Sequence, residues 1–149
     1  MATETERKFL VKSEFRHLAV KNIMISQSYL SIDPDKTIRI RISDDKAFLT
    51  IKSRICDKLI TRREWEFPVP LSDANELMSI CLPGKIVKTR YFIPSDKHTF
   101  EIDVFHDKNE GLILAEIELS SEEELFEKPH WLGEEVTGKP EYYNANLIK

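Results

Sequence analysis

Cysteine and histidine are scarce in this chain, with two cysteines and four histidines in 149 residues. Cys56 and Cys81 have no CxxC spacing and read as reduced, structural thiols. His17, His98, His106 and His130 are scattered, and no pair has a metal-ligand spacing, which argues against a zinc site. No apolar run approaches the roughly 20 residues that span a bilayer. The first six residues, Met1-Ala2-Thr3-Glu4-Thr5-Glu6, lack the basic and apolar regions of a signal peptide. The expectation is a cytoplasmic protein with no membrane partner. An excess of positive charge is missing too: 22 basic and 26 acidic residues leave a net charge of −4. That balance does not suit a protein that grips nucleic acid with its whole surface. No repeat, low-complexity tract or Gly/Ser-rich linker divides the chain, so residues 1–149 are expected to form one domain.

What the sequence does have is charge, at 32% of residues, above the usual quarter for soluble domains. It also has strand-like alternation. Candidate strands fall near 3–12, 23–30, 37–42, 47–53, 60–68, 86–93, 98–106 and 112–120. Turn residues separate them: Asp33-Pro34-Asp35, Ser43-Asp44-Asp45, Pro83-Gly84 and Asp107 through Gly111. Helices are fewer. Ser72 through Cys81 carries apolar residues at helical spacing and stops at Pro83-Gly84. Ser121-Glu122-Glu123-Glu124 resembles a solvated helix start, with acids at the positive end of the dipole and Pro129 closing the segment. Short helical turns are expected near 13–19 and 142–148. Many short antiparallel strands with few helices suggest a barrel or a sandwich.

Successive strand residues point to opposite faces, so i and i+2 share one. Read with that period, the charges pair: Glu4, Glu6 and Lys8; Arg39 and Arg41; Lys52 beside Thr50; Arg62, Glu64 and Glu66; Lys88 and Arg90; Glu101 and Asp103; Glu116 and Glu118. The alternate residues are nearly all aliphatic or aromatic. A sheet with one wet face gives the same period as a barrel with a polar lumen. Two features favour the lumen. The polar positions are almost purely charged rather than mixed with Ser, Asn and Gln, and acids and bases sit on different strands. Buried charges must be paired or liganded. Arginines at i and i+2 suit a polyphosphate, because each guanidinium grips two oxygens in a planar fork. Paired carboxylates suit Mg²⁺ or Mn²⁺, which bridge one or two carboxylates to substrate phosphates. A small-molecule triphosphate with its metal satisfies both halves.

The first strand, Glu4-Thr5-Glu6-Arg7-Lys8, resembles the ExExK signature of the CYTH superfamily, the triphosphate tunnel metalloenzymes. The later segments follow the same family order: Gln27-Ser28-Tyr29-Leu30, Ile38-Arg39-Ile40-Arg41, Leu49-Thr50-Ile51-Lys52, Arg62-Arg63-Glu64-Trp65-Glu66, Lys88-Thr89-Arg90-Tyr91, Glu101-Ile102-Asp103 and Ala115-Glu116-Ile117-Glu118. The ending, Trp131 to Thr137 followed by Tyr142 and Asn144, resembles the small bacterial members. The resemblance implies a mainly β fold: an eight-stranded antiparallel closed tunnel with a few helices packed outside, often a homodimer. It implies that Lys8, Arg39, Arg41, Lys52, Lys88 and Arg90 hold the triphosphate, with Arg62 a further base. Glu4, Glu6, Glu116 and Glu118 would hold the metal, with Asp103 and Glu64 or Glu66 near a second one. Lys52 matches a lysine that activates water, and Tyr29 a tyrosine that contacts it.

Each role has a plainer counterpart. Lys52 serves equally as a point-charge clamp on phosphate, and an aromatic on a strand often only packs. Trp65, Trp131, Tyr91, Phe105 and Phe126 are assigned to structure on outer faces or under helices, and Tyr142 and Tyr143 to one tunnel mouth. Three functions fit the pattern. An inorganic triphosphatase is favoured, because nothing obvious recognises a base or ribose; a nucleoside or thiamine triphosphatase is a variant of it. A class IV-type adenylyl cyclase would need added nucleoside contacts. A non-catalytic polyphosphate sensor would not need the full set of acids.

Overall fold

The computed structural model describes residues 2–58 and 60–149. Its elements are β1 (Ala2–Val11), β2 (Lys21–Ser31), β3 (Thr37–Ser43), β4 (Lys46–Arg54), β5 (Thr61–Val69), α1 (Leu71–Ser79), β6 (Ile86–Ser95), β7 (His98–Phe105), β8 (Ile113–Leu119) and β9 (Leu132–Glu135). The sheet runs β5-β4-β3-β2-β6-β7-β8-β1, antiparallel throughout, and pairing of β5 with β1 closes it into a barrel. Asp44 and Asp96 turn the β3–β4 and β6–β7 hairpins with positive φ of 55° and 57°, a conformation that Asp tolerates better than most residues. No helix among the described residues is long and apolar enough to cross a membrane.

β1 explains how the barrel is both closed and extended. Its first half pairs with β5, from Ala2↔Glu64 to Thr5↔Thr61. Beyond that point the same edge pairs with β9, at Phe9↔Glu135 and Val11↔Leu132. β9 is not among the predicted strands: Leu132-Gly133-Glu134-Glu135 is too short for alternation to be visible. Gly133 passes close to β1, where a Cβ would lie 2.9 Å from the Leu10 carbonyl oxygen.

The apolar residues form three clusters. One lies outside β1, β6, β7 and β8, where Phe9, Phe100, Ile102 and Ile117 pack under Phe15, Trp131 and the half-buried Phe126. Another holds α1 against β3 and β4 through Ile40, Ala47 and Ala74. The third fills one end of the barrel interior, where Tyr29, Ile86, Phe105 and Leu114 meet Val136 and Ile148 of the C-terminal segment. Phe105 therefore faces inward, opposite Lys88 across the β6–β7 ladder, rather than outward as expected.

The helix expected from Ser121 is an irregular turn. Glu124 folds back to accept hydrogen bonds from the Ser120 backbone N–H at 2.6 Å and the Ser120 hydroxyl at 2.8 Å. It also pairs with His98 at 2.8 Å and Lys97 at 3.4 Å. Phe126 is drawn onto the rings of Phe9 and Phe100. Those tertiary contacts outweigh a helix signal that rested on local propensity alone. The other expected turns are single 3₁₀ turns, Arg16–Leu18, Pro140–Tyr142 and Asn144–Asn146.

Candidate active site

Residues directly opposite in an antiparallel ladder project to the same face. The registers Glu4↔Arg62, Lys52↔Glu64, Arg39↔Thr50, Tyr29↔Arg39, Glu101↔Glu116, Lys8↔Glu116 and Glu6↔Glu118 therefore place the charged positions on one inner face. The wet-face alternative is thereby excluded. The barrel encloses a cavity of about 410 Å³, and every expected site residue except Asp103 lines it. That volume lies within the range of small-ligand pockets. The C-terminal segment borders one end: Tyr143 and Asn144 line the cavity, and Lys8 Nζ donates to the Tyr142 carbonyl at 3.0 Å.

Charge is arranged in three groups. In the first, Glu4 accepts from Lys52 Nζ at 2.6 Å and from Arg62 Nη2 at 3.2 Å. Burial opposes its ionisation, but Lys52 and Arg62 outweigh that and hold the carboxyl below its usual range. Lys52 also faces Glu64 at 3.7 Å, and Arg62 faces Glu6 at 3.7 Å. Burial and the nearby Glu4 charge push Glu64 up.

The second group surrounds a carboxylate that does not reach the lumen. Asp103 is fully buried. Its Oδ2 accepts from Lys88 Nζ at 2.7 Å and Arg90 Nη2 at 2.9 Å, and its Oδ1 from Arg90 Nε at 2.8 Å. Burial favours its neutral form, yet the two cations hold it far below the carboxylate range. Both oxygens are thus occupied by protein cations, whereas the resemblance implies a place near a second metal. Arg90 also reaches Glu101 at 2.8 Å. Glu101 lines the lumen; the resemblance gives it no role, and its i, i+2 relation to Asp103 is the signal for it in the sequence. Lys88 is buried as well, and that burial lowers it to about 8 despite Asp103.

The third group is unbalanced. Arg39 makes no ion pair among the described residues, and its buried Nε has no hydrogen-bond partner among them. Burial, with Arg39 and Arg90 close by, pulls Arg41 down to about 10, so it stays charged at neutral pH. Its carboxylate neighbour, Glu66, is at 3.4 Å and is shared with the Thr50 hydroxyl at 2.8 Å. Across the cavity the imbalance has the other sign. Glu116 is raised by burial and by Glu6, and Glu118 by burial and by Glu4 and Glu6. No three of the described His, Cys, Asp or Glu side chains converge on one point, so these acids do not close a cation cage by themselves. Burial also raises Tyr29, which keeps its hydroxyl protonated.

A family model described as the CYTH domain matches residues 2–148. An inorganic triphosphatase of Acetivibrio thermocellus is 41% identical over 150 residues, covering 100% of this chain and 95% of that protein. An inorganic triphosphatase of Nitrosomonas europaea is 34% identical over 150 residues, covering 97% and 96%. The solved structure of the inorganic triphosphatase NE1496 superposes with a TM-score of 0.69 at 31% identity, covering 97% of each chain. The full-length family match, the closed eight-stranded barrel and its inward-facing charges agree, and the chain belongs to the CYTH domain family.

Proposed function

We propose that this protein is a metal-dependent triphosphatase that hydrolyses inorganic tripolyphosphate to pyrophosphate and phosphate inside its barrel. The observation that carries this is the pair of opposite charge deficits in one cavity: Arg39, with no ion pair among the described residues, and under-paired Arg41, against the raised acids Glu116 and Glu118. A polyanion relieves the first deficit and a divalent cation the second. The two relatives named inorganic triphosphatase support the same reading.

The acid side fits Mg²⁺ or Mn²⁺, held by Glu4, Glu6, Glu116 and Glu118. Such an ion keeps several non-protein ligands, in keeping with acids that do not converge into a cage. When bound, it draws negative charge off the phosphate oxygens. Lys8, Arg39, Arg41, Arg62 and Arg90 hold the remaining oxygens. Phosphoryl transfer then needs positioning and charge stabilisation more than covalent chemistry.

Water attacks a terminal phosphorus, the bridging P–O bond breaks, pyrophosphate leaves, and the proton of the water needs an acceptor. Of the lysines that line the cavity, Lys52 sits between Glu4 and Glu64, the setting of a charged clamp. Among the described residues Lys88 faces a single carboxylate, Asp103, that it shares with Arg90; with burial bringing it to about 8, it is the better base. Tyr29 donates its hydroxyl to a phosphate oxygen. Asp103 anchors Lys88 and Arg90, and Glu64 and Glu66 anchor Lys52 and Arg41.

The test is product analysis with tripolyphosphate, ATP and thiamine triphosphate, each with Mg²⁺ or Mn²⁺. Fast phosphate release from tripolyphosphate with poor turnover of ATP is expected. Cyclic AMP and pyrophosphate from ATP would make the protein a cyclase. Tight binding without turnover would make it a sensor.

A further inference from the structure

We infer that Asn144 and Gln27 are positioning residues that aim Lys88 and Tyr29 at the bound triphosphate. This rests on the roles proposed above for those two side chains. Asn144 Oδ1 accepts from Lys88 Nζ at 3.2 Å and from Gln27 Nε2 at 3.5 Å, and Gln27 Nε2 also reaches the Tyr29 hydroxyl oxygen at 3.4 Å. One chain of side chains thus connects the proposed base to the proposed donor. In the neutral form that accepts a proton, a lysine amine has two N–H groups and one lone pair. Asp103 and Asn144 take both N–H groups of Lys88, which leaves the lone pair, and Lys88 lines the cavity. The Tyr29 oxygen accepts from Gln27, so its own proton is left for the cavity that it also lines.

Two further observations separate this role from plain packing. Gln27 is fully buried, yet its Oε1 has no hydrogen-bond partner among the described residues. A buried orphan acceptor costs stability, so a methionine of similar length would serve packing better. The C-terminal segment, in turn, is fastened without Asn144. Asn109 Nδ2 donates to the Leu147 carbonyl at 3.0 Å, Lys108 Nζ donates to the Ile148 carbonyl, and the Ile148 side chain is buried in the inner cluster. Asn144 is not needed to hold the segment down. The contacts to Gln27, at 3.4 and 3.5 Å, are longer than the usual N–H···O range, so each is individually weak.

The experiment measures kcat and KM for tripolyphosphate in the full-length protein and in Asn144→Ala, Gln27→Met, Lys88→Met and the Asn144→Ala/Lys88→Met pair. Both single positioning variants are expected to lose about tenfold in kcat with KM within about twofold, as for a small misplacement of reacting groups. Gln27→Met should keep or raise the melting temperature while losing kcat, which a purely structural glutamine would not do. Asn144→Ala should have no further effect once Lys88 is methionine, because it acts through that lysine. Unchanged kcat in both single variants, or an undiminished Asn144→Ala effect in the Lys88→Met background, overturns the inference. If Lys88→Met itself keeps full kcat, the base assignment fails as well. If Lys88→Met is inactive while Asn144→Ala and Gln27→Met behave as wild type, only the positioning role fails.

Discussion

Asp103→Asn removes one negative charge from a buried cluster and leaves its volume nearly unchanged. Three charge-assisted bonds end on the carboxylate, at 2.7, 2.8 and 2.9 Å. Removing one partner of a buried ion pair costs about 3–5 kcal/mol, because the remaining charge stays out of water. Arg90 keeps Glu101 at 2.8 Å, so only Lys88 is stranded, and the lower end of that range, about 3 kcal/mol, applies. In a chain of this size that lowers Tm by roughly 6–12 °C. The assay is urea unfolding in metal-free buffer with chelator, followed by the fluorescence of the buried Trp131. The sign with pH is fixed by the depressed carboxyl: its stabilisation is present above the unfolded value of about 3.9 and is lost as pH falls through the folded one. The gap between wild type and variant should therefore narrow in acid. Tripolyphosphate, as a replacement anion, should restore part of the loss. If metal-free stability stays within about 1 kcal/mol of wild type while metal dependence is lost, Asp103 is a metal ligand and the ion-pair reading is wrong.

Turnover of tripolyphosphate should rise with pH through about 8, where Lys88 loses its proton, and steady-state rates of Lys88→Met should lack that rise. Lys52→Ala should weaken substrate binding and turnover together, read by calorimetry and initial rates; a selective loss of turnover would return the base role to Lys52. Raised carboxyls destabilise the folded state above their unfolded pKa and are relieved as pH falls. Glu116→Gln with Glu118→Gln should therefore raise Tm of the metal-free protein at pH 7 while shifting the metal requirement at least about tenfold upward. Gly84→Ala should cost roughly 2 kcal/mol or more by urea unfolding, because Gly84 has φ +100° and an added Cβ would lie 2.0 Å from the Ile148 carbonyl oxygen.

Most of the lumen was legible in the sequence because its period is short. Alternation places Arg39 with Arg41 and Glu116 with Glu118 on one face whatever the neighbouring strands are. Closure into a barrel then makes all those faces one wall. What the pattern could not express is depth along each strand. Glu101 and Asp103 share a face, yet Glu101 lines the cavity while Asp103 is sealed between two cations. Phe105 continues the same row into the apolar end. Partner strands decide that gradient, and their register is not written in β7. Gln27 and Asn144 belong to segments that carry the resemblance, but their link was illegible for another reason. Their meeting spans 117 residues, and no local pattern joins β2 to the C-terminal segment. The Ser121–Glu124 segment failed in the opposite direction. Its helix signal was local, and contacts to Ser120, His98 and the outer aromatic cluster overrode it.

The ion pairs of the lumen bear on how the ligands bind. Glu4 with Lys52, and Asp103 and Glu101 with Lys88 and Arg90, are already close to neutral as groups, so they shape the cavity more than they attract a ligand. The least compensated charges among the described residues are Arg39 and Arg41 on β3, where Arg41 has Glu66 at 3.4 Å, and Glu116 and Glu118 on β8, where Glu116 has Lys8 at 3.9 Å; the two strands are not neighbours in the barrel. A polyanion alone would answer the arginines and add repulsion at the glutamates. A divalent cation alone would do the reverse. Together the two ligands screen one another and meet both deficits, so each should raise the affinity of the other by the same factor, as linkage requires. Synergy of this kind follows from carboxylates and guanidiniums facing one cavity, and it needs no movement of the barrel.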